Sequence, residues 1–208
     1  MFARFRHWFV NVFWYHYRWP VLGCIVAAAL AGSMIHSFVT RKQPDIPYMM
    51  IGIGPRPDIV TEALDEFLAE RFGDLNSDGT VYYKGDYIDL DVSETADPQM
   101  VQANTTRFAG TLASRACALL IYTEGTLDLY EWQDSLVYLD LTQHGIRADG
   151  DTPERADVTD HPAIVSAGFS GIRIFAGVVA YSDLPGGLLS EQQLWALDAI
   201  RALAGESP

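Results

Sequence analysis

The chain has 208 residues, with 14 Lys and Arg against 27 Asp and Glu, and a formal net charge of −13. Residues 1–42 hold five of the basic residues and no acidic one, so residues 43–208 carry nine basic against 27 acidic groups, a formal charge of −18. A surface of this sign repels phosphate backbones, which argues against nucleic-acid binding and for a well-solvated domain.

The first segment, residues 1–20, is rich in aromatic residues. Nine of the 25 Phe, Trp and Tyr residues fall within its first nineteen positions. Because amphipathic rings favour the headgroup layer of a bilayer, these residues predict a juxtamembrane segment that anchors the chain at the membrane surface.

The next segment is the apolar run VLGCIVAAALAGSMIHSFV, residues 21–39, which has no formal charge. As a helix it would be about 28 Å long, close to the ~30 Å hydrocarbon thickness of a bilayer. We therefore predict one transmembrane helix over residues 21–40, in contact with the bilayer through residues 21–39. Three arginines and the amino terminus precede it and two basic residues, Arg41 and Lys42, follow it, so the positive-inside rule favours by a small margin a cytoplasmic N-terminus and an extracytoplasmic C-terminal domain at the cell membrane.

Two alternatives remain for this segment. The sequence Ala29-Leu30-Ala31 resembles a signal-peptidase site, but cleavage there would leave a short apolar core behind a long aromatic leader, unlike an ordinary secretory signal. Small residues spaced by four, Ala27 with Ala31 and Ala28 with Gly32, would also allow two such helices to approach closely as a homodimer.

A linker, residues 41–45, leads to a domain over residues 46–208, long enough for one ordinary domain. Ile46 to Ile53 is a nearly continuous apolar stretch, typical of a strand buried on both faces. Asp58 is predicted to cap the next helix, which Gly73 would end. The inner face of that helix would consist of Val60, Leu64, Phe67, Leu68 and Phe72.

Further elements follow in the same alternating order. Val81 to Asp91 predicts a strand, Asp97-Pro98 begins a helix that extends to about Ser114, and Ala116 to Tyr122 predicts a third strand. Leu127 to Trp132 predicts a helical turn and Leu136 to Leu141 an extended piece. These alternating strands and helices predict the α/β class, with one mostly parallel sheet and flanking helices.

The last third of the chain begins with a charged stretch, residues 142–162, that predicts a long loop. Ile172 to Tyr181 predicts a strand of undetermined direction. Ser190 and Gln193 predict a capping box at the start of a final helix. The predicted inner stripe of this helix is Leu194, Leu197, Ile200 and Leu203.

The stretch DLNSDG, residues 74–79, has the pattern of a calcium loop. Asp74, Asn76 and Asp78 match its first three side-chain ligand positions, and Gly79 its sharp bend. The twelfth position, which should supply a bidentate carboxylate, is Gly85, so a late ligand would have to be Asp86 or Asp89. The same residues also form tight turns without a metal, and that interpretation is preferred.

Signatures of catalysis are incomplete. Gly52-Ile53-Gly54 lacks the amides, third glycine and lysine of a phosphate loop. His144 and His161 are predicted to be exposed, without metal-ligand spacing. Two cysteines, Cys24 in the apolar span and Cys117 before a strand, exclude a disulfide framework. The sequence therefore predicts no enzyme and no cofactor, with calcium as the one open alternative.

The order of elements around RFAGTLASRACALLIYTEGTLDLYEWQDSLVYLDL resembles the first lobe of the extracellular solute-binding proteins of ABC importers, the periplasmic-binding-protein fold. Ala118 to Ile121 matches the lobe's apolar strand, and Leu139-Asp140-Leu141 its later extended stretch. The segment GFSGIRIFAGVVAYSDLPGGLLSEQQLWALDAIRAL is similar to a later strand and helix. The Asp74-to-Gly79 turn that enters a strand also resembles uncharacterised membrane-anchored proteins of Gram-positive bacteria that share this arrangement. Unlike a two-lobed binding protein, this chain has length for one lobe and a small remnant.

The resemblance implies a membrane-anchored binding or sensing domain. Its ligand, an unknown small molecule or membrane protein, would lie at the carboxyl ends of the parallel strands. The candidate ligand-binding residues are Gly54, Arg56, Thr123, Glu124 and Tyr181. The alternatives are an accessory subunit of a membrane complex and a cell-envelope hydrolase.

Overall fold

The computed structural model describes residues 15–40, 43–52, 57–90, 97–124, 126, 137–150, 152–166, 171–181 and 188–206. The chain divides into two compact units, residues 1–43 and 44–208. The predicted helical turn over Leu127 to Trp132 lies outside the described residues, as do the aromatic side chains that precede Trp19.

The first unit contains a single described helix, α1 (Tyr15–Thr40), of 26 residues. Its stretch Trp19–Ser37 has a mean hydropathy of 1.6 and none of it is buried, so it is long and apolar enough to cross a membrane. The helix starts before the predicted Val21, with Pro20 inside it. Proline at the sixth position removes one intrahelical hydrogen bond and crowds the preceding turn, which favours a bend of the helix there.

The second unit is built from five described strands and four α-helices. In chain order the elements are β1 (Tyr48–Ile51), α2 (Pro57–Phe72), β2 (Asp86–Ile88), α3 (Pro98–Ala113), β3 (Leu119–Thr123), a 3₁₀ helix (Leu141–His144), β4 (Ala156–Asp157), α4 (Pro162–Ser166), β5 (Ile174–Val178) and α5 (Glu191–Leu203).

The strands form one sheet in the order β2-β1-β3-β5-β4. β1 pairs in parallel with β2 and with β3, whereas β5 is antiparallel to both of its neighbours. Four of the five strands therefore run in the same direction, and β5 runs against them. The predicted α/β class with a mostly parallel sheet is confirmed.

Both faces of the sheet are covered, as the apolar run at β1 predicts. Tyr48 and Met50 point into one core together with Leu64 and Leu68 of α2 and Ile200 of α5. The alternate residues of β1, Met49 and Ile51, point into the second core, which Phe108 of α3 closes. The sheet is therefore held between helices on its two sides.

Local signals set several helix ends correctly. Asp97 caps α3 by accepting from the Gln99 amide, and Ser190 with Gln193 forms the predicted capping box of α5. Gly73 follows α2 with φ +66°, a left-handed conformation that suits glycine. The prediction for Asp58 is wrong, because α2 begins at Pro57 and Asp58 lies inside its first turn.

β2 is much shorter than the predicted Val81 to Asp91. Two backbone donors that precede it bond to side chains: the Tyr82 amide donates to Asp45 Oδ2 at 2.9 Å and the Gly85 amide to Asp65 Oδ1 at 2.9 Å. Because these donors are already taken, the strand ladder begins only at Asp86.

The predicted long loop over residues 142–162 contains the edge strand β4. Leu139 and Asp157 both lie alongside β5, since the Leu139 amide bonds the Val178 carbonyl and Asp157 pairs with Phe175. The edge strand is thus split into two pieces, 137–139 and 156–157, with an excursion over residues 140–155 between them. A strand of two residues has no alternation that a sequence pattern could detect.

The inner stripe of α5 differs from the prediction at its first member. Leu197, Ile200 and Leu203 are buried, but the Leu194 side chain is 48% exposed. Gln193 is buried in its place, because its side-chain amide donates to the Val179 carbonyl at 2.9 Å. A hydrogen bond to the sheet therefore fixes which face of α5 turns inward.

Candidate functional site

Two of the predicted ligand-binding residues lie together at the carboxyl end of β3. Thr123 is buried and its hydroxyl is hydrogen-bonded to the Thr126 hydroxyl. Glu124 is half-exposed, its amide donates to the Arg173 carbonyl at 2.9 Å, and its carboxylate lies 3.7 Å from the Arg173 guanidinium. Gly54 and Arg56 lie outside the described residues.

Tyr181 does not join this group, and its placement corrects the prediction. Because β5 runs antiparallel to β3, the residues that follow β5 return to the amino end of β3. The Tyr181 hydroxyl accordingly donates to the carbonyl of Cys117, which precedes β3. The residue that β5 brings to the carboxyl end is Arg173, directly before the strand.

Arg173 is the centre of an ion-pair cluster at this end of the sheet. Its guanidinium lies 2.7 Å from Asp149 and 2.8 Å from Asp157, and Arg155 lies 3.0 Å from Asp149. The hydrogen bonds to Asp157 and Asp149 raise the pKa of Arg173 above its ordinary value. Both guanidinium groups also stack over the Phe175 ring, at 4.0 Å for Arg155 and 4.8 Å for Arg173.

Asp157 is held ionised by its neighbours. Burial raises the pKa of its carboxyl, but hydrogen bonds from Thr159 and Arg173 outweigh that effect, and the pKa is lowered overall. The Thr159 hydroxyl donates to Asp157 at 2.5 Å, and its amide donates at 3.0 Å. The carboxylate is therefore charged and fixed in position at neutral pH.

A cavity of about 510 Å³ lies beside this cluster. It is partly open to solvent and is bordered by the excursion, the β4–α4 connection and the carboxyl end of α5. That volume falls within the range of small-molecule sites. Its charged lining residues are Asp149, Asp157, Asp160, Glu206 and Arg147, and its apolar ones include Val158, Pro162 and Leu203.

His161 also lines the cavity, and it is half-buried, contrary to the predicted exposure; His144 is half-buried as well. The His161 ring packs edge-on against Phe67 with centroids 4.3 Å apart, and its Nδ1 accepts from the Ala163 amide at 3.3 Å. Burial lowers the pKa of the imidazole. The ring is therefore neutral at pH 7, with its proton on Nε2.

We expect His161 to make stability pH-dependent. Because its pKa is lower in the folded state, the unfolded chain takes up the proton first as pH falls. The contribution of His161 is fully present above about pH 6.5 and is lost as pH falls through the folded-state pKa. Urea unfolding between pH 7.5 and 5.5 should show this loss. His161→Asn keeps an acceptor for the Ala163 amide and should flatten the dependence; an unchanged slope would contradict the assignment.

The Asp-rich turn is stabilised by its own side chains. The Asp78 amide donates to Asn76 Oδ1 at 2.9 Å, the Gly79 amide to Asp74 Oδ2 at 2.8 Å and the Thr80 amide to Asp78 Oδ1 at 2.8 Å. These are the local hydrogen bonds by which Asp and Asn form turns. Asp74 Oδ1 is buried without a hydrogen-bond partner in the described part of the chain.

A buried carboxylate from β1's approach segment holds the turn in place. Asp45 is fully buried; its Oδ1 accepts from the amides of Leu75 at 2.9 Å and Asn76 at 3.0 Å, and its Oδ2 from the amide of Tyr82 at 2.9 Å. The turn is therefore anchored at both of its ends by one side chain. Sequence reasoning missed Asp45 because its partners lie 30 or more positions away.

Neither Gly85 nor Asp86 is placed to give the turn a late carboxylate ligand. A Cβ atom at Gly85 would lie 2.3 Å from the Tyr48 ring, so no carboxylate side chain fits at the twelfth position of the loop. Asp86, one of the two predicted late ligands, forms an ion pair with Arg107 of α3. Among the described residues, no group of three or more His, Cys, Asp or Glu has metal-binding geometry. Ca²⁺ takes six to eight oxygens.

We therefore expect calcium to leave the melting temperature of the chelated protein unchanged beyond the effect of ionic strength, which an equal charge of NaCl measures. Asp78→Ala removes one turn hydrogen bond and should cost about 1 kcal/mol with or without calcium. A saturable rise in melting temperature that Asp78→Ala abolishes would contradict this expectation and restore the calcium loop.

The two cysteines are both free. Cys117 is buried, its thiol donates to the Leu119 carbonyl at 3.0 Å, and burial raises the pKa of the thiol to about 12. Since the thiolate is the reactive form, Cys117 is an inert core residue.

Comparison with protein families, with curated proteins and with solved structures gives no match to this chain. The functional inference therefore rests on the geometry of the chain itself.

Sequence reasoning found Thr123 and Glu124 at the carboxyl end of β3 but missed the side chains around the cavity. Asp149, Asp157, Asp160 and His161 fall in the stretch predicted as a loop, and Glu206 follows the last helix. The one available signal was Arg173, a charged residue directly before an apolar strand. Its significance depends on the direction of β5, which the sequence left open.

Proposed function

We propose that the chain is a membrane-tethered, extracytoplasmic binding domain that holds a small ligand in the cavity beside β4. The cavity is the observation that carries the proposal, because it combines an adequate volume with charged groups fixed by ion pairs and an apolar wall. A site of this composition suits orientation of a small polar ligand.

Tethering is supported by α1. Its apolar stretch is unburied, and the second unit has its own two-sided core. A bilayer is the environment in which an unburied and largely apolar helix of this length is stable. Three arginines before the stretch, against Arg41 and Lys42 after it, support a cytoplasmic N-terminus.

The likeness to one lobe of a solute-binding protein belongs to the same proposal. Three strands with parallel pairing and helices on both faces are consistent with such a lobe. With a single lobe, the ligand is held by the cavity itself and not by closure between two lobes.

We propose binding without catalysis. The Cys117 thiol is buried, and the Nδ1 atom of His161 already accepts from the Ala163 amide. The cavity presents charged groups and hydrogen-bonding groups, and ion pairs hold Asp149 and Asp157 in fixed positions.

Two experiments test the proposal. Protease added to intact cells should digest the acidic domain and leave α1 protected; resistance until lysis would overturn the orientation.

The full-length protein in detergent should show a saturable rise in melting temperature with at least one member of a panel of sugars, amino acids, amines and dicarboxylates. An unchanged melt across the whole panel would favour an accessory subunit over a binding domain.

A further inference from the structure

We propose that His161 is a pH-dependent cap of α4, and that uptake of a proton by its ring releases α4 from α2. The release is a property of the fold and requires no ligand, whereas its effect on ligand binding rests on the proposed function. Three observations lead to it: the hydrogen bond from α4 to the ring, the packing of the ring against α2 and the position of the ring in the cavity wall.

The ring supplies a hydrogen-bond acceptor at the start of α4. His161 directly precedes Pro162–Ser166. Its Nδ1 accepts from the Ala163 amide at 3.3 Å, and its carbonyl accepts from the amides of Ile164 and Val165 at 2.9 Å each. The side chains usually found at such a position are those of Ser, Thr, Asp and Asn, whose oxygen atoms accept at neutral and mildly acidic pH alike. An imidazole nitrogen accepts only while it carries no proton.

α4 depends on this cap and on its packing. A helix of five residues is far below the ~12–15 residues at which isolated helices become marginally stable, so contacts with other elements hold α4 in place. It packs chiefly against α2, and its Ile164 side chain is fully buried in the core. The His161 ring contacts Phe67 of α2 edge-on, with the ring centroids 4.3 Å apart. One imidazole therefore takes part in both the cap and the contact between α4 and α2.

Protonation changes both contacts. When Nδ1 gains a proton, its N–H group faces the Ala163 N–H group, so that two donors oppose each other and the hydrogen bond is lost. The imidazolium is also costly beside Phe67, because the half-buried ring is partly withdrawn from water. Once α4 has moved away, the ring is hydrated and binds a proton with its ordinary affinity. Acid therefore favours the released state, by linkage between proton uptake and opening.

The charged groups near the ring are mostly carboxylates. In the described part of the chain they are Glu70 and Arg71, one turn beyond Phe67 on α2, and the charged residues that share the cavity wall: Arg147, Asp149, Asp157, Asp160 and Glu206. Carboxylates favour the imidazolium and so oppose the release. Burial nevertheless lowers the pKa of the ring, so the loss of hydration outweighs their attraction.

The release alters the cavity because His161 and Pro162 belong to its wall. When α4 moves, the β4–α4 connection loses its fixed position at this wall. A ligand held by the whole lining is therefore expected to bind more weakly below about pH 6.5 than above it.

Amide hydrogen exchange of the full-length protein in detergent tests the release without any ligand. Exchange is compared at pH 7.5 and pH 5.5, after correction for the intrinsic dependence of exchange on pH. The protection of the Ala163, Ile164 and Val165 amides should fall by about 2- to 10-fold, tenfold being the limit for uptake of one proton over the pH unit below about 6.5. Unchanged protection would overturn the proposal.

Urea distinguishes release of α4 from unfolding of the whole domain. Local opening exposes little surface, so about 1 M urea should leave the protection of the α4 amides unchanged. The amides of β3, in the centre of the sheet, should lose protection in the same urea. If the α4 and β3 amides respond alike, α4 opens only with the whole domain and the proposal fails.

Two histidine variants assign the effect to one ring. His161→Asn keeps an oxygen that accepts from the Ala163 amide and does not titrate, so its α4 amides should be equally protected at both pH values. His144→Asn is the matched control: His144 is also half-buried but lies at the end of the 3₁₀ helix, and this variant should respond to acid as the unmodified protein does. A full response in His161→Asn, or a lost response in His144→Asn, would contradict the assignment.

The unmodified protein provides a second test that does not depend on the folding of a variant. The fall in protection of the α4 amides should have the same midpoint as the titration of the His161 ring, which NMR follows through its Cε1 proton. Different midpoints would overturn the proposal. Release of α4 in a protein that binds no member of the ligand panel removes only the effect on binding, whereas ligand binding without release leaves the proposed function intact and refutes the cap.

Discussion

Asp45→Ala is expected to lower the free energy of unfolding by about 3 kcal/mol or more. Asp45 is fully buried and accepts from three backbone amides, those of Leu75, Asn76 and Tyr82. Each unsatisfied amide costs about 1–3 kcal/mol, reduced here because these residues are partly open to water. Urea unfolding monitored by circular dichroism measures the loss.

Two controls bracket this expectation. Asp78→Ala removes an exposed acceptor from the same turn and should cost about 1 kcal/mol. Since it also removes one negative charge, a larger loss in Asp45→Ala cannot be due to the change of charge alone. Asp45→Asn keeps one acceptor oxygen, but its side-chain NH₂ group replaces the other and opposes a backbone N–H donor. Its loss of unfolding free energy should lie between those of Asp78→Ala and Asp45→Ala. A loss below about 1 kcal/mol in Asp45→Ala would show that the carboxylate does not anchor the turn.

Gly85→Ala is expected to cost about 1–3 kcal/mol or more, because the added methyl group has no space. Its Cβ would lie 2.3–2.5 Å from atoms of the Tyr48 ring. That ring is buried, and its hydroxyl is fixed by hydrogen bonds to Asp65 at 2.9 Å and to the Thr61 carbonyl at 3.1 Å. Overpacking of this kind forces the ring or the backbone to move.

Gly110→Ala provides the matched control. Gly110 lies in the interior of α3, and a Cβ atom added there would meet no other part of the described chain within 4 Å. Alanine at this position should therefore stabilise the domain by about 0.5–1 kcal/mol. Chemical denaturation of the two variants should shift in opposite directions. Equal stability of Gly85→Ala and the unmodified protein would contradict this expectation and show that the Tyr48 ring can adopt another conformation without cost.

The elements that could be predicted from sequence are those that local chemistry determines. The apolar run of α1, the cap at Asp97 and the capping box at Ser190 each depend on residues within a few positions of one another. β1 was recognised because a strand buried on both faces has an apolar residue at every position. In these cases neighbouring residues contain enough information.

The features that were missed depend on contacts between distant residues. The length of β2 is limited by Asp45 and Asp65, which take donors that a strand ladder would otherwise use. β4 has only two residues, and its pairing with β5 defines it as a strand. The direction of β5 determines which residue reaches the carboxyl end of β3. Because β5 is antiparallel, Arg173 lies there and Tyr181 does not. None of these is visible in a local pattern.

The split edge strand has a consequence for how this protein can change over evolutionary time. Its two pieces, 137–139 and 156–157, are fixed by the same strand. Leu141 and Ile146 of the excursion between them are buried in the core, so substitutions can accumulate at little cost to folding only at its exposed positions, while Asp149 keeps the excursion at the rim of the cavity. Related chains are expected to vary most at those exposed positions, and with them in the composition of the cavity rim.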